Sequence, residues 1–508
     1  MHIDPHTPVI IGVGQAGDRI DTPDYRAWSS VDLGSAATRA ALDDTGAPAT
    51  VAECVDVIAA VREMENMPHV PSPLGRSDNY PRSVARRVGM TPERALLEVV
   101  GGQSPQSLVT EHAEAIAAGE ARCVLVVGAE ATSTARYFAD RDDRPDFGEE
   151  VGGQLDDRGP RFEDFIDMTM IRHRLTSMPV AYALAENARR RRLGTTVDEH
   201  RRAMGRLFAP FTEVAAANPF AASPVVRAVD ELATITDANR VIAQPYPRLV
   251  VARDLVNVGS AIILTSVANA SSMGIPRDRW VFLHGHTDLH EQALLARADI
   301  GASPAAAMAT SGALDMAGVG VDDLATVDLY SCFPIPVFNV CDALGFDADA
   351  PTGLTVTGGL PFFGGPGHNY SSHAIVETVE RLRARPGAFG LVVANGGIMS
   401  KTSVGVYSTT PAGWVPRADR RLQGRVDAEK SLSVAEFFTG PATLETYTVD
   451  HTKRGPIGVV VATTHDDHTR VAALSSDDAL LAALESGDPF GAEVMIEAGE
   501  GANSARLV

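Results

Sequence analysis

The sequence predicts an α/β protein built from two similar halves and followed by a small all-β unit. Three observations predict it. Strand and helix signals alternate through roughly the first four hundred residues, as in layered α/β domains. The order strand, glycines, helix, strand occurs twice, around Gly101-Gly102 and around Gly358-Gly359 with Gly364-Gly365. Beyond Thr410-Pro411 strand patterns follow one another with short turns between them.

Residues 8–13 are a short apolar run ending at Gly12 and Gly14, the signature of a buried strand. Residues 31–46 place Leu33, Ala36, Ala37, Ala40 and Ala41 at helical spacing and end in glycine. Strands follow at 55–61 and 96–100, then a helix at 104–119 with Leu108, Val109, Ala115 and Ile116 facing inward. The strand at 123–127 is continuous in Val and Leu, as a parallel sheet requires. The second half repeats the order with strand 280–284, helix 304–317, strand 326–330, helix 334–344, strand 354–357, helix 371–385 and strand 390–395. A polar insertion over 132–251 is too long for a bare loop and carries a helix pattern at 179–192. Residues 416–427 are polar and read as linker. Strands at 443–449, 457–464 and 470–474 point to a small antiparallel barrel or sandwich. The resulting boundaries are 1–130 and 253–275 for the first half, 131–252 for the insertion, 276–412 for the second half, 413–430 for the linker and 431–508 for the β unit.

The 508 residues are 45% hydrophobic and 21% charged, enough for sizeable cores without disulfide or metal staples. None of the four cysteines stands in a CxxC pair, and Cys54 and Cys123 lie in or beside strand-like runs where inert thiols sit. These thiols, and an N-terminus without a basic segment and long apolar run, assign the protein to the cytoplasm. No window reaches the roughly 18 apolar residues of a membrane-spanning helix. The net charge of −21 argues against nucleic acid as a partner, because phosphate backbones need a basic face. His284, His286 and His290 cross a strand end and a loop with no cysteine or paired carboxylate to complete a site, so no metal is assigned.

Several segments, in order, resemble the thiolase superfamily and most closely its sterol-carrier-type branch. Glu98-Val99-Val100-Gly101-Gly102-Gln103-Ser104 is similar to the turn where thiolases carry their nucleophilic cysteine, and Gly102 takes the cysteine position. Asp328-Leu329-Tyr330-Ser331-Cys332-Phe333 resembles the branch's His-Asp-Cys-Phe motif with Tyr330 at the histidine, a position where thiolase-fold aldolases of steroid side-chain breakdown also have tyrosine. Gly358-Gly359-Leu360-Pro361-Phe362-Phe363-Gly364-Gly365-Pro366 resembles the turn ending in Gly-His-Pro, with Gly365 at the histidine. Val393-Ala394-Asn395-Gly396-Gly397 stands where thiolases have Cys-x-Gly, with Ala394 at the cysteine. In the insertion, 182–188, 197–201 and 218–221 resemble the loop domain that covers coenzyme A in that branch.

The resemblance implies a duplicated thiolase fold, two βαβαβαββ halves in five α/β/α/β/α layers with an inserted loop domain. With a C-terminal β-barrel added, the pattern is similar to thiolase-like proteins of type 1. It implies an acyltransferase-related protein of lipid metabolism, acetyl-CoA acetyltransferase-like by homology. No cofactor is expected to be tightly bound, and a coenzyme A thioester is the implied ligand. The two cysteines and the histidine that do the covalent and proton-transfer work are replaced, so the thiolase reaction is not expected. The remaining candidates are Tyr330 as acid/base, His368 and Asn395 polarising a carbonyl, and Ser104 as the nearest hydroxyl. Gly102, Gly364, Gly365, Gly397 and Arg189 are candidates for holding a ligand.

Each has a plainer reading. Tyr330 is then a packed aromatic, His368 a helix-start residue, Asn395 part of a turn, Ser104 an N-cap before Pro105, and Arg189 part of a solvated helix face. Two functions stay open. One is aldolase-type C–C bond chemistry on an acyl-CoA. The other is non-catalytic binding of an acyl-CoA or of a protein partner through the C-terminal domain. Thiolases pair through the strand near Cys123, whose apolar face burial within one chain explains equally well.

Overall fold

The computed structural model describes residues 3–68, 70–347, 353–486 and 488–508. Cys123–Glu130 is buried at every residue, which a strand achieves when both faces of its sheet are covered. It lies inside a six-stranded sheet ordered Pro8–Gly17, Val258–Ser266, Cys123–Glu130, Val57–Ala60, Arg94–Leu97 and Asp156–Asp157. The strand near Cys123 therefore has neighbours of its own chain on both sides and offers no edge to a partner. A four-stranded sheet, Leu324–Leu329, Phe389–Gly396, Lys401–Ser408 and Phe282–His290, forms the second half. An isolated bridge between Ile10 and Val281 joins the two.

Between the sheets lie the helices Ser104–Ala117 and Tyr370–Ala384. Leu108, Val109, Ala113 and Ile116 of the first share one core with Ala374, Ile375 and Val379 of the second and with strand residues of both sheets. Each fully buried Leu, Val or Ile there contributes about 1.5–3 kcal/mol relative to exposure. Ser30–Asp44 covers the outer face of the first sheet. Pro304–Ala317 and Pro334–Leu344 belong to the core on the outer face of the second. The result is five layers, α/β/α/β/α. No helix among the described residues is long and apolar enough to cross a membrane.

Two segments differ from the sequence expectation. Residues 354–357 form no strand, because the Asp328 carboxylate accepts from the Val356 N–H at 3.0 Å and the Thr355 hydroxyl at 2.9 Å. A side chain takes the Val356 N–H, while the Leu354 carbonyl accepts from the Leu329 N–H of the neighbouring strand at 3.0 Å. The expected linker contains the helix Asp419–Asp427, with Val426 buried and Leu422 packed beside Gly312. Its Asp419 and Gln423 side chains accept the N–H groups of Asp288 and His290, capping the edge strand Phe282–His290.

The insertion carries the helices Met178–Leu193 and Val197–Ala217, the second started by a Thr196/Glu199 capping box. Beyond it, Gly440–Thr452, Gly455–Thr464, Arg470–Ser475, Asn503–Leu507 and Glu493–Ala498 close a five-stranded barrel. Its pairs are antiparallel except Arg470–Ser475 with Asn503–Leu507. The barrel is fastened to the insertion and to the second half. Asn187 donates to the Gln244 and Tyr447 carbonyls at 2.9 and 2.8 Å, and Arg190, fully buried, pairs with Asp488 and donates to the Tyr447 hydroxyl. Buried Arg470 meets Glu445 and the Leu295 and Arg297 carbonyls.

Replacing Arg470 leaves Glu445 and two inward carbonyls without their donor. Arg470→Met is expected to cost roughly 3 kcal/mol. Denaturant unfolding should show this loss, and limited proteolysis should release the barrel first.

Candidate functional site

The turn that opens the helix Ser104–Ala117 is the centre of the site. Gly101 has φ +137, and the Gln103 side chain folds back against both Gly101 and Gly396. Gln103 is the residue capping the helix, so Ser104 stands one position further in than its N-cap reading and is a first-turn residue. Its hydroxyl donates to the Val99 carbonyl at 2.9 Å. Ser371, in the first turn of the other central helix, donates to the Gly102 carbonyl at 2.6 Å, so the two buried helix starts are tied together.

Tyr330 reaches this turn from the end of Leu324–Leu329, where its N–H donates to Val393 at 3.0 Å. A Cβ placed on Gly102 would lie 2.1 Å from the Tyr330 hydroxyl oxygen and 2.3 Å from its ring. The phenol thus occupies the space that any side chain at 102 would need. Burial, and to a lesser degree the neighbouring Cys332, raises the Tyr330 phenol well above its ordinary range, so it stays protonated. Its hydroxyl has no hydrogen-bond partner among the described residues. Tyr330, Asn395, Asn339, Met399 and Thr402 line a cavity of about 20 Å³, room for about one water.

Asn395 donates to the Tyr182 hydroxyl at 3.1 Å and lies 4.0 Å from the Cys332 sulfur, whose thiol burial pushes up to about 12. Tyr182 stacks on Phe333 at 4.5 Å and also takes the Met399 N–H at 3.3 Å. The insertion thereby sets one aromatic residue behind Asn395 and Met399 of the cavity wall. That role had no local signal, since Tyr182 sits mid-helix among alanines.

The other sequence-predicted residues lie around this centre. Gly364 packs on Val256, the Gly365 N–H donates to the Arg253 carbonyl at 2.7 Å, and Gly397 lies against Ser400 and Phe165. None of these three lines the small cavity. His368 keeps a buried Nε2 without a partner, and burial foremost, with the charges of Arg62 and Lys401, lowers its pKa to about 4. Arg189 is bidentate to Asp342 at 2.8 Å and lies over the Phe338 ring at 4.0 Å. Arg191 meets the Glu445 carbonyl and Arg192 meets Asp299, so every member of the arginine run binds the protein itself. Among the described residues no three His, Cys, Asp or Glu side chains gather as a metal site. His284 and His286 contact the Thr410 and Val415 carbonyls instead.

The model for the additional C-terminal domain of thiolase-like proteins of type 1 matches residues 421–501. A crystal structure of a monomeric SCP2-thiolase-like protein type 1 from Mycobacterium smegmatis is 46% identical, with all of both chains covered and a TM-score of 0.87. The Ltp2-ChsH2(DUF35) aldolase is 18% identical over 80% of this chain and 99% of that one, at a TM-score of 0.57. Human mitochondrial 3-ketoacyl-CoA thiolase is 17% identical over 80% of this chain and 100% of that one, at 0.53. These last two are likenesses of fold. No curated protein matches the chain.

Two measurements check the site's physics. Gly102→Ala should cost about 1–3 kcal/mol by overpacking, and most of that cost should vanish in a Tyr330→Ala background. A double-mutant cycle by chemical unfolding reads the coupling. The second concerns Glu130, whose carboxyl beside Gly367 burial raises to about 8 from 4.5, opposed by the Met64 N–H and assisted by Glu65. The folded chain holds a proton there that the unfolded chain releases, so stability present below pH 4.5 is lost as pH rises through 8. Asp288, raised to about 7 by burial, acts in the same direction. His368 acts the other way, but only below its ordinary 6.5. Tm should therefore fall between pH 6.5 and 8, and less steeply in Glu130→Gln.

Proposed function

We propose, on the premise that this chain belongs to the SCP2-thiolase-like proteins of type 1, that it is a binding protein on a thiolase fold and not a thiolase. The observation that carries this is the Tyr330 phenol lying against Gly102, which leaves about 20 Å³ where an acyl group would react. A thioester exchange needs a thiolate and a base to activate it. By the resemblance, Gly102 and Ala394 take the positions of the two family thiols and Gly365 that of the imidazole. Nor do the remaining groups replace them. An acid/base catalyst works best with a pKa near the operating pH, whereas Tyr330 is pushed far up and His368 down to about 4. Arg189 to Arg192 are engaged within the chain, which removes that basic run from a nucleotide phosphate.

One observation favours a second reading, aldolase-type chemistry on an acyl-CoA. Tyr330 lines the small cavity, and its hydroxyl, without a partner among the described residues, would donate to a developing oxyanion if the cavity opened. The two readings separate in one experiment. The protein and its Tyr330→Phe variant are incubated with coenzyme A plus 3-ketoacyl-CoAs, and with β-hydroxyacyl-CoAs, and products are followed by liquid chromatography. No turnover is expected from either protein. Thiolysis would overturn the proposal, and C–C cleavage that disappears in Tyr330→Phe would establish the aldolase reading in its place.

A further inference from the structure

Cys54 and Cys123 read from the sequence as separate, inert thiols, and the fold brings them together. Cys54 ends the helix Pro48–Cys54, and Cys123 begins the strand Cys123–Glu130. Asp56, just beyond Cys54, joins the two elements. Its N–H donates to the Cys123 carbonyl at 3.0 Å, and its carboxylate accepts the Cys123 N–H at 3.0 Å. The Cys123 side chain belongs to the core on the outer face of the first sheet, and that of Cys54 packs against the same core. There the two thiols meet in a hydrogen bond.

The pair is asymmetric. Cys123 is fully buried, whereas Cys54 is partly exposed. The hydrogen bond with Cys123 foremost, with the charge of Arg122 assisting and burial and Asp56 opposing, holds the Cys54 thiol below its ordinary range. The same contact, together with burial, raises Cys123. One thiol thus belongs to a residue open to solvent and ionises readily, and the other stays protonated behind it. Cys332 and Cys341 differ, since burial pushes both up to about 12. Thiolate character and access decide which thiols oxidise, and both single out Cys54.

We infer that Cys54 and Cys123 form a reversible disulfide, with Cys54 the thiol that a hydroperoxide oxidises and Cys123 the one that resolves it. The Cys54 thiolate attacks the O–O bond of hydrogen peroxide, forming an S–O bond and releasing hydroxide, which takes up the proton Cys54 gave. The Cys123 sulfur then attacks the sulfenic sulfur, and its proton leaves with the hydroxyl group as water. Two thiols and one peroxide give one disulfide and two waters, with two electrons passing from sulfur to oxygen. Bonded sulfurs lie about 2.05 Å apart, so sulfurs already in contact have about 2 Å to close. A dithiol reductant reverses the step by thiol–disulfide exchange. The inference is independent of whether the Gly102–Tyr330 centre reacts, because it involves neither residue.

The test is exposure of the full-length protein to hydrogen peroxide in molar excess, followed by alkylation and isolation of the monomer on a non-reducing gel. The monomer is digested with trypsin without reductant and its peptides are weighed by mass spectrometry. Cleavage at Arg39, Arg62, Arg122 and Arg136 puts Cys54 on residues 40–62 and Cys123 on residues 123–136, each without a second cysteine. A disulfide-linked pair of these peptides should appear, and two of the four thiols should be lost. Dithiothreitol should restore them. Cys54→Ser should abolish the loss, whereas Cys123→Ala should leave Cys54 as a sulfenic acid that dimedone traps. Cys123 is buried, so Cys54→Ser and the peptide map of the unaltered chain decide the matter if Cys123→Ala does not fold. Persistence of all four thiols overturns the inference. So does oxidation that falls on Cys332 or Cys341, that joins Cys54 to a second chain, or that carries Cys54 to sulfinic acid without a link to Cys123.

Discussion

Two helices buried between two sheets, Ser104–Ala117 and Tyr370–Ala384, set the terms for everything around them. Such a helix has no face to give to water, so its side chains are small or apolar around most of its circumference, and its first N–H groups emerge inside the protein. Those starts must be satisfied internally. Ser371 and Ser104, in the first turns, also tie those starts to the neighbouring turn by donating to the Gly102 and Val99 carbonyls. The same geometry brings the most electropositive points of both helices close to one spot, which is where an anionic intermediate or a nucleophile would be favoured. The site thus follows from the layer order, whether or not any chemistry is performed there.

What fills that spot decides its character. A phenol beside Gly102 is neutral, large and rigid. It fills the space that a side chain at 102 would need, and Gly102 brings no titratable thiol for such a position to activate. Around it, burial keeps His368, His373 and Cys332 uncharged at neutral pH. Desolvation is the largest cause at each of them, reinforced at His368 by Arg62 and Lys401 and opposed at Cys332 by hydrogen bonds. The centre of the fold is therefore electrostatically quiet. Charged side chains gather instead at a neighbouring polar cavity of about 470 Å³, more than twenty times larger than the one at Tyr330, lined by Arg158, Arg161, Asp288 and Lys401 among others.

The duplicated layers were legible because their signals are local. Continuous apolar runs gave the central strands, and the helices Pro304–Ala317 and Pro334–Leu344 begin and end at the residues their Pro and Gly signals mark. What stayed hidden depends on partners far apart in sequence. Residues 354–357 carry a strand pattern, but Asp328 captures the Val356 N–H and the Thr355 hydroxyl. The 419–427 helix looks like polar linker because its apolar contacts reduce to little more than Leu422 and Val426. Tyr182, Lys401 and Arg161 gave no signal either. A lysine heading a strand reads as solvated until the insertion is folded over it. Arg189 to Arg192 read as a solvated face for the opposite reason, since their carboxylate and carbonyl partners come from the second half and the barrel.

The inserted and added segments share one physical task, the covering of sheet edges, which are sticky wherever their N–H and C=O groups are unpaired. Asp156–Asp157 of the insertion lies along Arg94–Leu97, pairing Leu96 and Leu97. Asp419 and Gln423 cap Phe282–His290. The Leu354 carbonyl and the Asp328 carboxylate finish the Leu324–Leu329 side. The barrel closes on itself and lends Asp450 to a bridge with Ala243. Edges that would otherwise be open to a second subunit are met from within the chain. The M. smegmatis relative, described as monomeric, has the same full-length organisation at 46% identity. Covering the Arg94–Leu97 edge has a further consequence. The segment that does so runs on through Arg158, Arg161 and Asp164, and those residues form one wall of the large polar cavity. The chain that closes the edge also builds that cavity, so the extra segments make a new internal surface rather than only hiding an old one.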